Sequence, residues 1–130
     1  MLREQLAQWA SESAASVVAI PRRSVRRMNS ALRDIGRGGD DTEVWIHPAD
    51  ASRNGIDDTV IVRTAAGSIQ APVRLTTDIV EGAISVPHGL EHANVNELTQ
   101  TTTAATDRLS GMVTQSGFAV MLEAPVPARE

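Results

Sequence analysis

The sequence predicts a mainly β fold, a small barrel with short peripheral helices, on three observations. Apolar, β-branched runs of about five residues recur along the chain. Turn residues separate them at roughly ten-residue spacing, as in hairpin-rich barrels. The helical patterns between them are short, which argues against a parallel layered fold. No internal repeat is visible.

Residues 1–15 read as a helix or lead-in, since Leu2, Leu6 and Trp9 recur at i, i+4 and i+7. Ser16–Ile20 (SVVAI) reads as a buried strand stopped by Pro21. Arg22–Arg33 is basic and reads as partly helical, ending in the loop from Gly36 to Asp41. Glu43–His47 (EVWIH) is a second strand. A short helix opens at His47-Pro48-Ala49-Asp50-Ala51, with Pro48 at the first helical position and Asp50 facing the positive end. Asn54-Gly55 supplies its left-handed stop. Asp57-Asp58 turns the chain into the alternating strand Thr59–Thr64, and Ala66-Gly67-Ser68 makes a hairpin into Ile69–Leu75. Pro72 is expected at an edge or bulge. Thr77–Gly82 turns into the strand Ala83–Pro87, and a polar loop follows from His88 to Asn96. Residues 99–106 are low in core content and expected to be exposed. Gly117–Glu123 closes the sheet, leaving 16–124 as the domain and 125–130 as a tail.

Composition excludes several classes of function. The 130 residues include no cysteine, which removes disulfides, thiolate catalysis and iron–sulfur ligation from this segment. No apolar stretch approaches the ~20 residues of a membrane span. The opening MLREQLAQWASES lacks the basic-then-apolar order of a signal peptide, so a cytoplasmic location is expected. With net charge −4 and aromatic residues at 2%, the chain is a poor nucleic-acid binder, lacking a ladder on which bases stack.

Charge is nevertheless localised. All 12 basic residues are arginine, and Arg22, Arg23, Arg26, Arg27, Arg33 and Arg37 face only one acid, Asp34, in the same stretch. A cationic patch on an acidic body suits a specific anion, and the guanidinium fork suits phosphate bidentately. The plainer reading is a solvated face. Asn94 and Asn96 would share one side of an extended backbone, offering carboxamides to the amide-like edge of a fused heterocycle. The plainer reading is a loop capping its own backbone. Past the Ala83–Pro87 strand, Gly89 allows close backbone approach and His88 offers a hydrogen bond. His88 and His92 lie four apart, but Pro87 and Gly89 disfavour a helix and no third ligand is placed, so no metal site is assigned. His47 opens a helix rather than acting in catalysis. Asp40-Asp41 and Asp57-Asp58 are explained by turns. No nucleophile elbow, Walker or dinucleotide glycine motif occurs, and no catalytic residue is assigned.

The order of these signals carries more than any one of them. Ala19-Ile20-Pro21-Arg22-Arg23 and Arg26-x-x-Asn29-Ser30 precede His47-Pro48-Ala49-Asp50-Ala51. Then come Gly55-Ile56-x-Asp58, Ala66-Gly67, and Val80-x-Gly82-x-Ile84-Ser85-Val86-Pro87-His88-Gly89. Asn94-x-Asn96-x-Leu98-Thr99 and Leu109-Ser110-Gly111 complete the series. From about Val17 to Ala124 the chain resembles the C-terminal dinucleotide-binding domain of the molybdopterin oxidoreductases, which include formate dehydrogenases and nitrate reductases. It departs from close relatives at Ala31-Leu32-Arg33-Asp34, where a Trp-Met-His-Asn run is frequent, and at Gln100, where aspartate is common.

The resemblance implies a double-psi β-barrel holding part of a molybdopterin guanine dinucleotide, with molybdenum or tungsten bound outside this chain. It places Arg22, Arg23, Arg26, Asn29 and Ser30 on the pterin-phosphate side. His88, Gly89, Asn94 and Asn96 would contribute from the second loop. It further implies a module of a larger oxidoreductase, an excised domain or separate subunit without turnover alone, whose partners are the remaining domains or subunits. The alternative is a double-psi barrel that docks a protein without cofactor. DNA binding through the arginines ranks below it, and a free-standing enzyme last.

Overall fold

A computed structural model describes Arg3, Glu4, Ala7 and residues 17–24, 42–99 and 105–126. Six strands close a barrel: β1 (Val17–Arg22), β2 (Val44–Ile46), β3 (Thr59–Arg63), β4 (Ser68–Leu75), β5 (Ala83–Pro87) and β6 (Phe118–Glu123). Around the barrel the order is β1-β5-β2-β4-β3-β6. Two pairings are parallel, β1 with β5 and β2 with β4, while the other contacts are antiparallel. Parallel neighbours cannot be joined by a hairpin, so the chain crosses over to make each of them. This is the mainly β barrel that the sequence predicts.

Alternation supplies the core. Val60 and Val62 of β3, Ile69 and Ala71 of β4, and Val120 and Leu122 of β6 point inward with Val44, Ile46, Ile84 and Val86. Each of these Val, Ile and Leu side chains contributes roughly 1.5–3 kcal/mol by leaving water. The helix α1 (Pro48–Asn54) forms as its residues dictate. The His47 Nδ1 accepts from the Ala49 N–H at 3.2 Å, and Gly55 at φ 63° ends the helix with N–H bonds to the Ala51 and Ser52 carbonyls. His47 is therefore a cap. Asp50 does sit in the first turn, but it is buried, and its Oδ2 accepts the Gly82 N–H at 2.7 Å.

Both prolines behave differently from expectation, for one reason. β1 does not stop at Pro21. Val18 donates toward the β5 side and Ala19 accepts from Gly117 on the β6 side, so Pro21 shares the β6 side, where pairing has already ended at Ala19. Its missing N–H costs no ladder bond. Pro72 lies inside β4 of a closed barrel rather than at an edge. Val73 donates to Asp58 on the β3 side, so Pro72 faces β2, whose pairing with β4 begins only at Val73.

Three other expectations need comment. Of the helix over 1–15, Arg3, Glu4 and Ala7 are helical, and the rest lies outside the described residues. So do the basic stretch and loop from 25 to 41 and most of 99–106; there Thr99, Ala105 and Thr106 are half-buried instead of exposed. Beyond them, Thr106 bridges Val113 across a tight turn. The Asp107 carboxylate caps that turn, accepting from the Ser110 and Leu109 N–H groups and the Ser110 hydroxyl at 2.7–2.9 Å. These bonds, the Ser110 N–H foremost, hold its carboxyl below the ordinary value of 3.8. A lowered folded-state value means the turn is fully supported above pH 3.8 and loosens as pH falls through the lowered value. Amide shifts of Leu109 and Ser110 followed from neutral to acid should titrate below 3.8; a midpoint at or above it would contradict the cap.

Candidate functional site

Strand direction determines which loops meet. β1 and β5 run parallel with Arg22 opposite Pro87, so the next residues, Arg23 and His88, leave the barrel side by side. The His88 N–H donates to the Arg22 carbonyl at 2.8 Å, tying the two strand ends. β6 runs antiparallel to β1 with Phe118 opposite Ala19, which brings the segment before β6 to the same end. After β5 the chain turns through Gly89, at φ 84°, a left-handed conformation suited to glycine.

The polar loop then makes a 3-10 turn, Val95–Leu98. Here the structure departs from the extended reading of Asn94-x-Asn96. Asn94 is the N-cap, its Oδ1 accepting the Asn96 N–H at 3.1 Å, so its side chain closes its own loop as a short polar residue commonly does. The Asn96 side chain is exposed. Val95 and Leu98 are buried and anchor the turn in the core. Behind it, the Thr64 hydroxyl donates to the Leu98 carbonyl at 2.9 Å. Gly67 lies so close that a Cβ there would come within 2.9 Å of the Glu97 carbonyl oxygen.

These segments enclose a pocket of about 180 Å³ lined by Pro21, Arg23, His88, Val95, Asn96, Thr99, Gln115 and Ser116. Arg23, His88 and Asn96 from the sequence expectation thus share one cavity. Gly89 and Asn94 are adjacent in the chain but are not in its wall. Arg26, Asn29 and Ser30 lie outside the described residues. Arg22 is not in the cavity wall. Its Nη1 donates to Ser85 Oγ at 2.7 Å and to the Ser85 carbonyl at 3.2 Å, and its Nη2 donates to the Glu43 carbonyl at 3.0 Å. Sequence reasoning missed Gln115 and Ser116. The signal was Gly117, whose φ of 74° marks a turn into β6 and so places both residues at a strand mouth.

The cavity's chemistry is polar and cationic. Arg23 is exposed at its rim, and Asn96 and Gln115 bring carboxamides that can donate and accept. The Nδ1 of His88 is buried with no hydrogen-bond partner among the described residues. A buried polar atom left alone costs ~1–3 kcal/mol, which a ligand atom within reach would remove. These groups fit an anionic ligand carrying a heterocyclic edge. A volume of 180 Å³ falls below the ~300–1,000 Å³ of complete small-molecule sites, so it suits one portion of a dinucleotide. No group of three or more metal-ligating side chains occurs among the described residues.

Comparison with known proteins places this geometry. The Molydopterin dinucleotide binding domain family matches residues 17–119. Among solved structures, acetylene hydratase from Pelobacter acetylenicus shares the fold with a TM-score of 0.75 at 14% identity, over 93% of this chain and 20% of that one. The chain therefore spans about a fifth of the length of that protein. No curated protein sequence matches it. With three strand mouths and the 3-10 turn forming one polar cavity and the family match running from β1 into β6, the chain belongs to the molybdopterin dinucleotide-binding domain family.

Proposed function

We propose that residues 16–124 hold molybdopterin guanine dinucleotide for a larger molybdenum or tungsten oxidoreductase of the formate dehydrogenase or nitrate reductase type, in the cytoplasm. The observation that carries this reading is the convergence of Arg23, His88 and Asn96 on one cavity. When bound, the cofactor supplies a metal centre for two-electron redox chemistry, completed by protein parts beyond this chain. What this chain adds is position and charge. Arg23 offers a planar fork to a phosphate of the diphosphate. The Asn96 carboxamide matches the donor and acceptor pattern of a pterin or guanine edge. His88 gives its buried Nδ1 to the ligand, and Gly89, at φ 84°, makes the turn that leads from β5 into the loop bearing Asn96. From the resemblance, Arg26, Asn29 and Ser30 extend the phosphate side. Asn94 serves by capping the turn that carries Asn96.

Arg23→Ala in the intact enzyme should lower cofactor occupancy roughly 10- to 100-fold at limiting cofactor, the worth of a charge-assisted hydrogen bond. Metal content per protein reads this directly. Unchanged metal content would remove Arg23 from the site. A chain that docks a protein instead would leave cofactor content untouched in both Arg23→Ala and His88→Ala.

A further inference from the structure

β1 overhangs its neighbour. Pairing with β6 ends at Ala19, so the last residues of β1 are held by β5 alone, through a parallel ladder, the slightly weaker kind. Arg22 stands at this overhang and reaches three places at once. Its carbonyl accepts from His88, its guanidinium donates to both oxygens of Ser85 on β5, and it donates to the Glu43 carbonyl just before β2. The guanidinium carbon also lies 4.1 Å from the ring centroid of Trp45 on β2, with Arg74 of β4 over the same ring at 5.0 Å. These bonds and the ring stacking fix the guanidinium against β5 and β2, and Arg22 is not among the residues lining the pocket. Arg23, one residue on, is exposed and in the pocket wall.

We propose that Arg22 is a positioning residue: with Trp45 and Ser85 it forms a strut that sets the gap between Arg23 and His88, and it does not itself contact the ligand. The strut braces this overhang from its paired side, across β5 to β2. Without it, Arg23 and His88 would each sample a wider range of positions, and a polar site loosened in this way loses affinity. The effect on binding rests on the dinucleotide reading above; the strut itself does not.

The test uses the full chain, isotope-labelled for NMR, with GDP as the probe. In the unaltered protein, GDP should move the Arg23 and His88 side-chain resonances and leave the Arg22 Nε–H in place. Ser85→Ala and Trp45→Leu should each weaken GDP binding about tenfold, the loss of one charge-assisted contact. Both should also shift the His88 imidazole signals in the ligand-free state. Trp45→Phe keeps an aromatic face for the guanidinium and should restore most of the affinity, which a general loss of packing would not predict. Movement of the Arg22 Nε–H on adding GDP as large as that of Arg23 would make Arg22 a ligand contact and overturn the proposal. Unmoved His88 and Arg23 signals in ligand-free Ser85→Ala would overturn it as well. Should GDP fail to bind the unaltered chain, the dinucleotide reading fails, and the ligand-free arm still judges the strut.

Discussion

Ile84→Ala should lower the unfolding free energy by about 2–5 kcal/mol, the range for truncating a fully buried aliphatic side chain. Ile84 is 0% exposed at the second position of β5. It pairs with Ala19 on one side and Ile46 on the other, both also 0% exposed, so one rung of three strands meets at its side chain. Backbone ladders on both sides prevent the strands from closing over the lost volume, which places the cost toward the upper part of that range. Ile84→Val removes one methyl group and should cost only ~0.5–1.5 kcal/mol. Denaturant midpoints with an unchanged slope measure both losses. A loss below about 1 kcal/mol for the alanine variant would show a rung able to collapse, against the geometry described.

Asp50→Ala should cost about 2–3 kcal/mol, because it strands a buried donor. The carboxylate is 2% exposed and accepts the Gly82 N–H at 2.7 Å, while its other oxygen lies 3.1 Å from Arg53. Arg53 also reaches Glu81 at 2.7 Å, so α1 is fastened twice to the turn that launches β5. Asp50→Asn keeps an oxygen for Gly82 and loses only the charge toward Arg53, a largely exposed partner. It should therefore lose roughly 1 kcal/mol or less. Equal losses in the two variants would mean that the ion pair, not the Gly82 bond, holds this corner.

Legibility in the sequence followed the range of the interactions. The six strands and α1 were visible because alternation, β-branched runs and the Pro48 and Gly55 signals act within a few residues. The recurring strands and turns suggested a small barrel, but not which strands close it, since β1 pairs with strands some 65 and 100 residues later in the chain. The same limit explains Arg22. Its partners Glu43 and Ser85 are 21 and 63 residues away, so no local pattern in the cationic motif announces these bonds. At Asn94 the reason is the opposite: a local cap competes with the extended backbone assumed for the pair. Arg23, His88 and Asn96 were picked out by residue chemistry together with the family resemblance, and the parallel register of β1 and β5 brings the first two together.

That register also bears on how the protein is born. During synthesis β1 emerges before the other strands of the barrel, yet the strands that cover its sides follow only some 65 and 100 residues later. Until then the nascent chain carries a β-branched segment, Val17–Ile20, with no companion. Such long waits slow folding and leave sticky edges open to aggregation. Truncated products ending before β5 should thus depend on chaperones far more than the finished domain does.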